Sequence, residues 1–141
     1  MFRANTYLSL TRYTEAHADY DRAVEIVERL FAQGNLHDEN DLAKALMNRG
    51  NTYDSLTRYM EALADYDRAI EIRERLFAEG KLHDESAFAM GWYVVANSFV
   101  NLGKFSMAVE KYNRAIEIFR RFRFCRQRNA GLPPKETDCV L

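Results

Sequence analysis

The stretch Ser9–Gly34 recurs as Ser55–Gly80, 46 residues on, with differences at 14/60, 17/63, 24/70, 27/73 and 33/79. The agreement runs on through Leu36-His37-Asp38-Glu39 and Leu82-His83-Asp84-Glu85. This restricts the fold more than any other feature of the chain. A short unit that cannot bury its apolar face alone must stack on its neighbours, so repetition at a fixed offset implies an array. A third, weaker copy keeps the register: "NLGKFSMAVEKYNRAIEIFRRF" starts at Asn101. In it Tyr112 matches Tyr20 and Tyr66, and Arg114 matches Arg22 and Arg68. The correspondence stops after Phe122, where "RFRFCRQR" follows.

Each copy reads as helix. Ala62, Tyr66, Ala69, Ile70, Leu76 and Phe77 fall at helical spacings on one face. Glu71 precedes Arg75 by one helical turn, the favourable order for an ion pair. Gly34 and Gly80 are positioned to end their helices, and Asp38 and Asp84 to cap the next ones. Those next helices contain "AKALMNRGNTYDSL" and "FAMGWYVVANSFVNL" and are expected to end near Thr57 and Gly103. No stretch alternates with period two. The expectation is all-α: a superhelical array of antiparallel helix–turn–helix repeats, with helices about 30 Å long. The repeats are placed at about 1–37, 38–83 and 84–128, forming a domain over 1–128, with an irregular tail over 129–141 containing Gly131, Pro133 and Pro134. Ala4 stands in the place of Gly50, so the first helix is expected to lack its opening turns and leave an unpaired apolar edge.

Hydrophobic residues make up 48% of the chain, which excludes a disordered composition. The net charge of −1 divides unevenly, into −6 for residues 1–110 and +5 for residues 111–141. Cys125 and Cys139 have no metal-ligand spacing and read as free thiols in a reduced compartment. Arg3, Asn5 and Thr6 interrupt any secretory segment, no apolar run is long enough to span a membrane, and Cys139 is one position too late for prenylation. A cytoplasmic location is expected, with no membrane partner.

In the third copy Trp92-x2-Val95-Ala96-x2-Phe99 is followed by Ala108-x3-Tyr112-x2-Ala115. In the second, Leu46-x2-Arg49-Gly50-x2-Tyr53 precedes Ala62-x3-Tyr66-x2-Ala69, and in the first, Ala4-x2-Tyr7 precedes Ala16-x3-Tyr20-x2-Ala23. These residues resemble the tetratricopeptide repeat, about three units of it. The usual period is about 34, so the offset seen here points to the long-helix subclass, similar to kinesin light chain repeats. The proline that usually follows the second helix is missing.

The resemblance implies a protein-interaction scaffold that holds a partner protein or an extended peptide in a concave groove lined by the first helix of each repeat. Asn5, Asn51 and Asn97 recur at the repeat offset on that helix. An asparagine offers both a carbonyl and an amide, so a ladder of them suits a peptide backbone; tolerance of asparagine at a solvated position is the rival account. Lys44, Met47, Asn48, Tyr93 and Asn101 complete the candidate groove. Met47, Met90 and Val94 stand where a clamp for acidic chaperone tails needs basic groups, which argues against that specialisation.

No Gly-rich phosphate loop, nucleophile elbow or zinc pattern occurs, so no catalytic, cofactor or metal residue is assigned and the chain is not expected to be an enzyme. His37 and His83, in "LHDE", read as parts of inter-helix turns, and His17 aligns with Leu63. Arg120, Arg121, Arg123, Arg126 and Arg128, interleaved with Phe119, Phe122 and Phe124, form a basic end that could contact a polyanion such as RNA. The plainer account, in which the rings pack on the array and the arginines solvate it, is preferred. A regulatory segment of a larger multidomain protein is the remaining alternative. The exposed ends and the charge division also suggest self-association.

Overall fold

A computed structural model describes the backbone of residues 2–82 and 84–128, and the side chains of residues 10–82 and 84–123. Among the described residues five helices follow one another: α1 (Phe2–Ala32), α2 (Glu39–Ser55), α3 (Tyr59–Ala78), α4 (Glu85–Asn101) and α5 (Phe105–Arg128). Each packs on the next in sequence, so α2–α3 and α4–α5 form antiparallel hairpins stacked side by side. The all-α array is therefore observed. The expected tail, with Cys139, lies outside the described residues, as do His83 and the side chains of Phe124 and Cys125.

The punctuation works locally. Asp38 accepts from the Asn40 N–H at 2.9 Å, and Asp84 from the Ala87 N–H at 3.1 Å, capping α2 and α4. Gly34 and Gly80 both have φ of 71°. The Asn35 and Lys81 N–H groups then reach back to Leu30 and Leu76 carbonyls at 2.8 Å, closing α1 and α3.

Packing follows the repeat pattern. Ala62, Tyr66 and Ala69 are fully buried, as are Leu46, Phe88 and Ala96. At Gly50 a Cβ would lie 2.6 Å from the Tyr66 ring, so α2 and α3 approach too closely there for any side chain. Phe77 stacks on Phe88 at 5.9 Å and meets Phe122 edge-on at 5.7 Å, which ties α3, α4 and α5 into one core. Phe122 therefore packs as expected of the end rings, whereas Phe119 remains 42% exposed.

The first copy departs from the expected hairpin. Ser9-Leu10-Thr11-Arg12-Tyr13 is identical to Ser55-Leu56-Thr57-Arg58-Tyr59. The second pentapeptide makes the α2–α3 turn, with Thr57 at φ of 61°, while the first lies inside the unbroken 31-residue α1. A β-branched residue in the left-handed region costs about 1–3 kcal/mol, so the bend needs outside support. In the second copy Gly50 seats on Tyr66 and the Arg58 guanidinium lies 4.9 Å from the centre of the Tyr53 ring. An unbroken helix keeps its backbone bonds without that strain.

Gly103, at φ of 74°, occupies the place of Thr57 in the next hairpin. Thr57→Gly is expected to stabilise the fold by about 1 kcal/mol, because relief of strain exceeds the added freedom of the unfolded chain. Thermal denaturation followed by circular dichroism should show a raised midpoint, and a lowered one would mean that Thr57 is unstrained.

Candidate functional site

α2 and α4 are the first helices of the two hairpins, and their equivalent positions carry most of the candidate groove residues. Lys44, Asn51, Tyr93 and Asn101 are exposed, and Asn48 and Asn97 are half-buried. Met47 is only 8% exposed and belongs to the core, which corrects its assignment as a groove contact. Asn5 lies on α1, and its side chain falls outside the described residues.

The two described asparagines of the ladder are held alike. The Tyr66 hydroxyl donates to Asn51 Oδ1 at 2.8 Å, and the Tyr112 hydroxyl donates to Asn97 Oδ1. Each bond joins the first helix of a hairpin to the second. Burial pushes the Tyr66 phenol well above its ordinary range, so it stays a donor. The amide oxygen is thus already engaged, which revises the expectation that each asparagine offers both of its polar groups. What remains for a ligand is the NH2, a double donor fixed in orientation by its own tyrosine. Tyr93 lies beside Asn97 on this face, its ring 5.5 Å from that of Tyr112.

Asp54, one turn after Asn51, was not legible as a site residue because Leu8 and Val100 take its place in the other copies. Its Oδ1 is buried without a partner. Burial raises the carboxyl above its ordinary range, while Ser98 and Asn101 of α4 lie close enough to oppose that shift partially. A carboxyl whose folded pKa is raised binds its proton more tightly folded than unfolded, so it subtracts stability as pH rises through that pKa. Asp54→Asn is expected to raise the melting midpoint at pH 7, with the difference vanishing below about pH 3.5, where both forms are protonated. An equal difference at both pH values would point to packing, not charge.

Arg49 is the electrostatic centre of the described residues. Its Nε and Nη2 donate to the two oxygens of Asp65, both at 2.7 Å, and Nη1 donates to Asp21 at 2.9 Å. One guanidinium thereby links α1, α2 and α3, and its bonds to Asp65 hold it firmly charged against the cost of burial. Translation by one repeat turns Arg49 into Val95 and Asp65 into Lys111. The first copy carries Arg3 and Asp19 at these positions, so the pair recurs in the sequence and is lost only in the third copy, and that recurrence was the signal by which it could have been found. Arg68–Glu28 and Arg75–Glu39 add surface ion pairs.

His17 sits between α1 and α2, its ring 4.4 Å from Tyr53 and its Nδ1 3.4 Å from the Thr52 hydroxyl. His37 is exposed in the turn before the Asp38 cap. Among the described residues no group of His, Cys, Asp and Glu could hold a metal ion, and no helix is long and apolar enough to cross a membrane. At the basic end Arg120, Arg121 and Arg123 are exposed, and Arg121 bonds to Glu117 at 3.2 Å. The side chains of Arg126 and Arg128 lie outside the described residues.

No curated protein and no solved structure matches this chain. Three family models do match, each described as a tetratricopeptide repeat, over residues 3–37, 43–76 and 91–122. The second and third fall on the α2–α3 and α4–α5 hairpins. The first, of the kinesin light chain type, falls on the copy whose turn is straightened into α1. With the repeat offset, the hairpins and these matches in agreement along most of its length, the chain belongs to the tetratricopeptide repeat family.

Proposed function

We propose that the chain is a non-catalytic scaffold that holds an extended peptide or a loop of a partner protein along α2 and α4. Repeats of this family generally mediate protein–protein interaction. The observation that carries the finer reading is the pair of tyrosine-fixed asparagines, Asn51 and Asn97, at equivalent positions of adjacent hairpins. Each donates from a preset amide to a carbonyl of the bound backbone, and Tyr93 supplies apolar contact. Lys44, Asn48 and Asn101 complete a polar wall, and Asn5 is the corresponding ladder position of the first copy. Recognition through the backbone demands no strict side-chain motif, so the ligand class is extended polypeptide.

A random peptide display library panned on the full chain tests this. Enrichment of peptides that compete with one another, and that are lost when the Asn51 and Asn97 donors are removed, supports it. Peptides that bind a variant lacking both donors as well as the natural chain overturn it. The same reading places the scaffold in the cytoplasm, which imaging of a fluorescently tagged chain checks.

A further inference from the structure

The outer face of α5 is the 46-residue translate of a face that is covered elsewhere in the array. On α3, Leu63, Ile70 and Arg73 are 7%, 4% and 9% exposed. Helix α4 lies over them: a Cβ at Gly91 would stand 3.4 Å from Ile70, and Arg73 Nη1 donates to the Ala87 carbonyl at 3.0 Å. The matching residues of α5 are Val109, Ile116 and Phe119, and they are 57%, 47% and 42% exposed. Arg120 and Arg123 continue the same stripe one turn further on, both exposed and neither in an ion pair within the described residues. The face is thus apolar along its length and basic at its end.

We propose that this face docks an acidic amphipathic helix from another protein, lying across α5 as α4 lies across α3. Two observations fix the occupant. A helix with a small residue at the crossing already covers the equivalent face inside the array, so the shape suits a helix. Arg120 and Arg123 then call for carboxylates beside its apolar stripe.

A second copy stacked in the array's own register fits poorly. Arg68 of α3 pairs with Glu28 of α1. The next residue in the Glu28 series is Glu74, and the one after is Arg120. An incoming copy would set its Arg22, which stands in the Arg68 series, against that arginine. Like charges placed together disfavour such a partner. A nucleic-acid strand is also a weaker fit, because base stacking wants successive rings and, among the described residues from Val109 to Arg123, this stripe sets Phe119 between aliphatic and basic side chains.

The probe is a fluorescent peptide of the α2 sequence, residues 39–55, with Lys44→Glu and Arg49→Glu and a hydrocarbon staple to hold it helical. Its control replaces every acid by the amide. Anisotropy titration of the full chain should show binding of the acidic probe that weakens with salt, and binding of the control at least about tenfold weaker. Phe119→Ser, at an exposed position and with the fold checked by circular dichroism, should weaken the acidic probe by about tenfold or more. Arg120→Glu with Arg123→Glu should do the same, whereas Asn51→Asp with Asn97→Asp should change nothing, which separates this face from the groove. Equal binding of probe and control overturns the proposal, as does indifference to Phe119→Ser. It is also overturned by a dimer of the unmodified chain that Phe119→Ser dissolves, by probe binding that appears only when the chain is ended at Arg128, or by displacement of the probe by oligouridylate.

Discussion

Arg49→Val, which installs the residue the chain itself carries at the equivalent position 95, is expected to destabilise the fold by about 3 kcal/mol. For a chain of this size that lowers the thermal midpoint by about 10 °C. The reason lies less in the attraction lost than in what is left behind. Asp65 is 6% exposed and both of its oxygens accept from Arg49. Without the guanidinium it becomes a buried carboxylate with no counter-charge. Arg49→Val combined with Asp65→Leu should therefore recover most of the loss, since apolar replacement of both partners of a buried pair is often neutral or better. The Asp21 arm is different. Its side chain is 58% exposed, so Asp21→Ala should change stability by less than about 1 kcal/mol. Urea denaturation of these three variants beside the natural chain gives the test. If Arg49→Val alone costs no more than Asp21→Ala, Asp65 has turned to water and the centre is not the joint between α1, α2 and α3.

The chain shows which kinds of information a repeat comparison carries. Positions with the same local task in each copy were readable: Gly34 and Gly80 in left-handed turns, Asp38 and Asp84 as caps, Ala62 and Ala69 on the buried face. Their physics is complete within a few residues or within one packing face. The identical pentapeptides beginning at Ser9 and Ser55 mark the boundary of such reasoning. The same five residues continue a helix in one place and break it in the other, so their conformation is not written in the five residues themselves. Met47 shows the same limit at the groove. Its helical position suggested the ligand side, yet the neighbouring helices enclose it. Asp54 stayed hidden for the opposite reason: it does not repeat, so its role exists only where α4 brings Ser98 and Asn101 beside it. Arg49 and Asp65 do return as Arg3 and Asp19, but nothing within one copy says that the two side chains meet between α2 and α3.

The asparagine ladder yields the sharpest test, because its two polar ends can be separated chemically. Asn51→Ala would remove the ligand-facing amide and also leave the Tyr66 hydroxyl without its acceptor, at a cost of about 1–3 kcal/mol to the fold. Lost binding could then reflect a loosened hairpin. Asn51→Asp avoids this. The carboxylate still accepts from Tyr66, in a charge-assisted and stronger bond, but it presents an acceptor where the ligand carbonyl requires a donor. The added charge stands one turn from Asp54, a like-charge spacing that costs only about 0.5 kcal/mol on a helix surface. Asn97→Asp makes the same exchange opposite Tyr112, where Val100 takes the place of Asp54 and no such repulsion arises. With about 1–3 kcal/mol lost at each unpaired carbonyl, the double variant should bind display-selected peptides about a hundredfold more weakly or worse, while its melting midpoint stays within about 3 °C of the natural chain. Fluorescence anisotropy and circular dichroism on the same samples measure both. A double variant that keeps its peptide affinity removes the groove from consideration, and one that unfolds shows the tyrosine–asparagine bonds to be structural in a way that a carboxylate cannot replace.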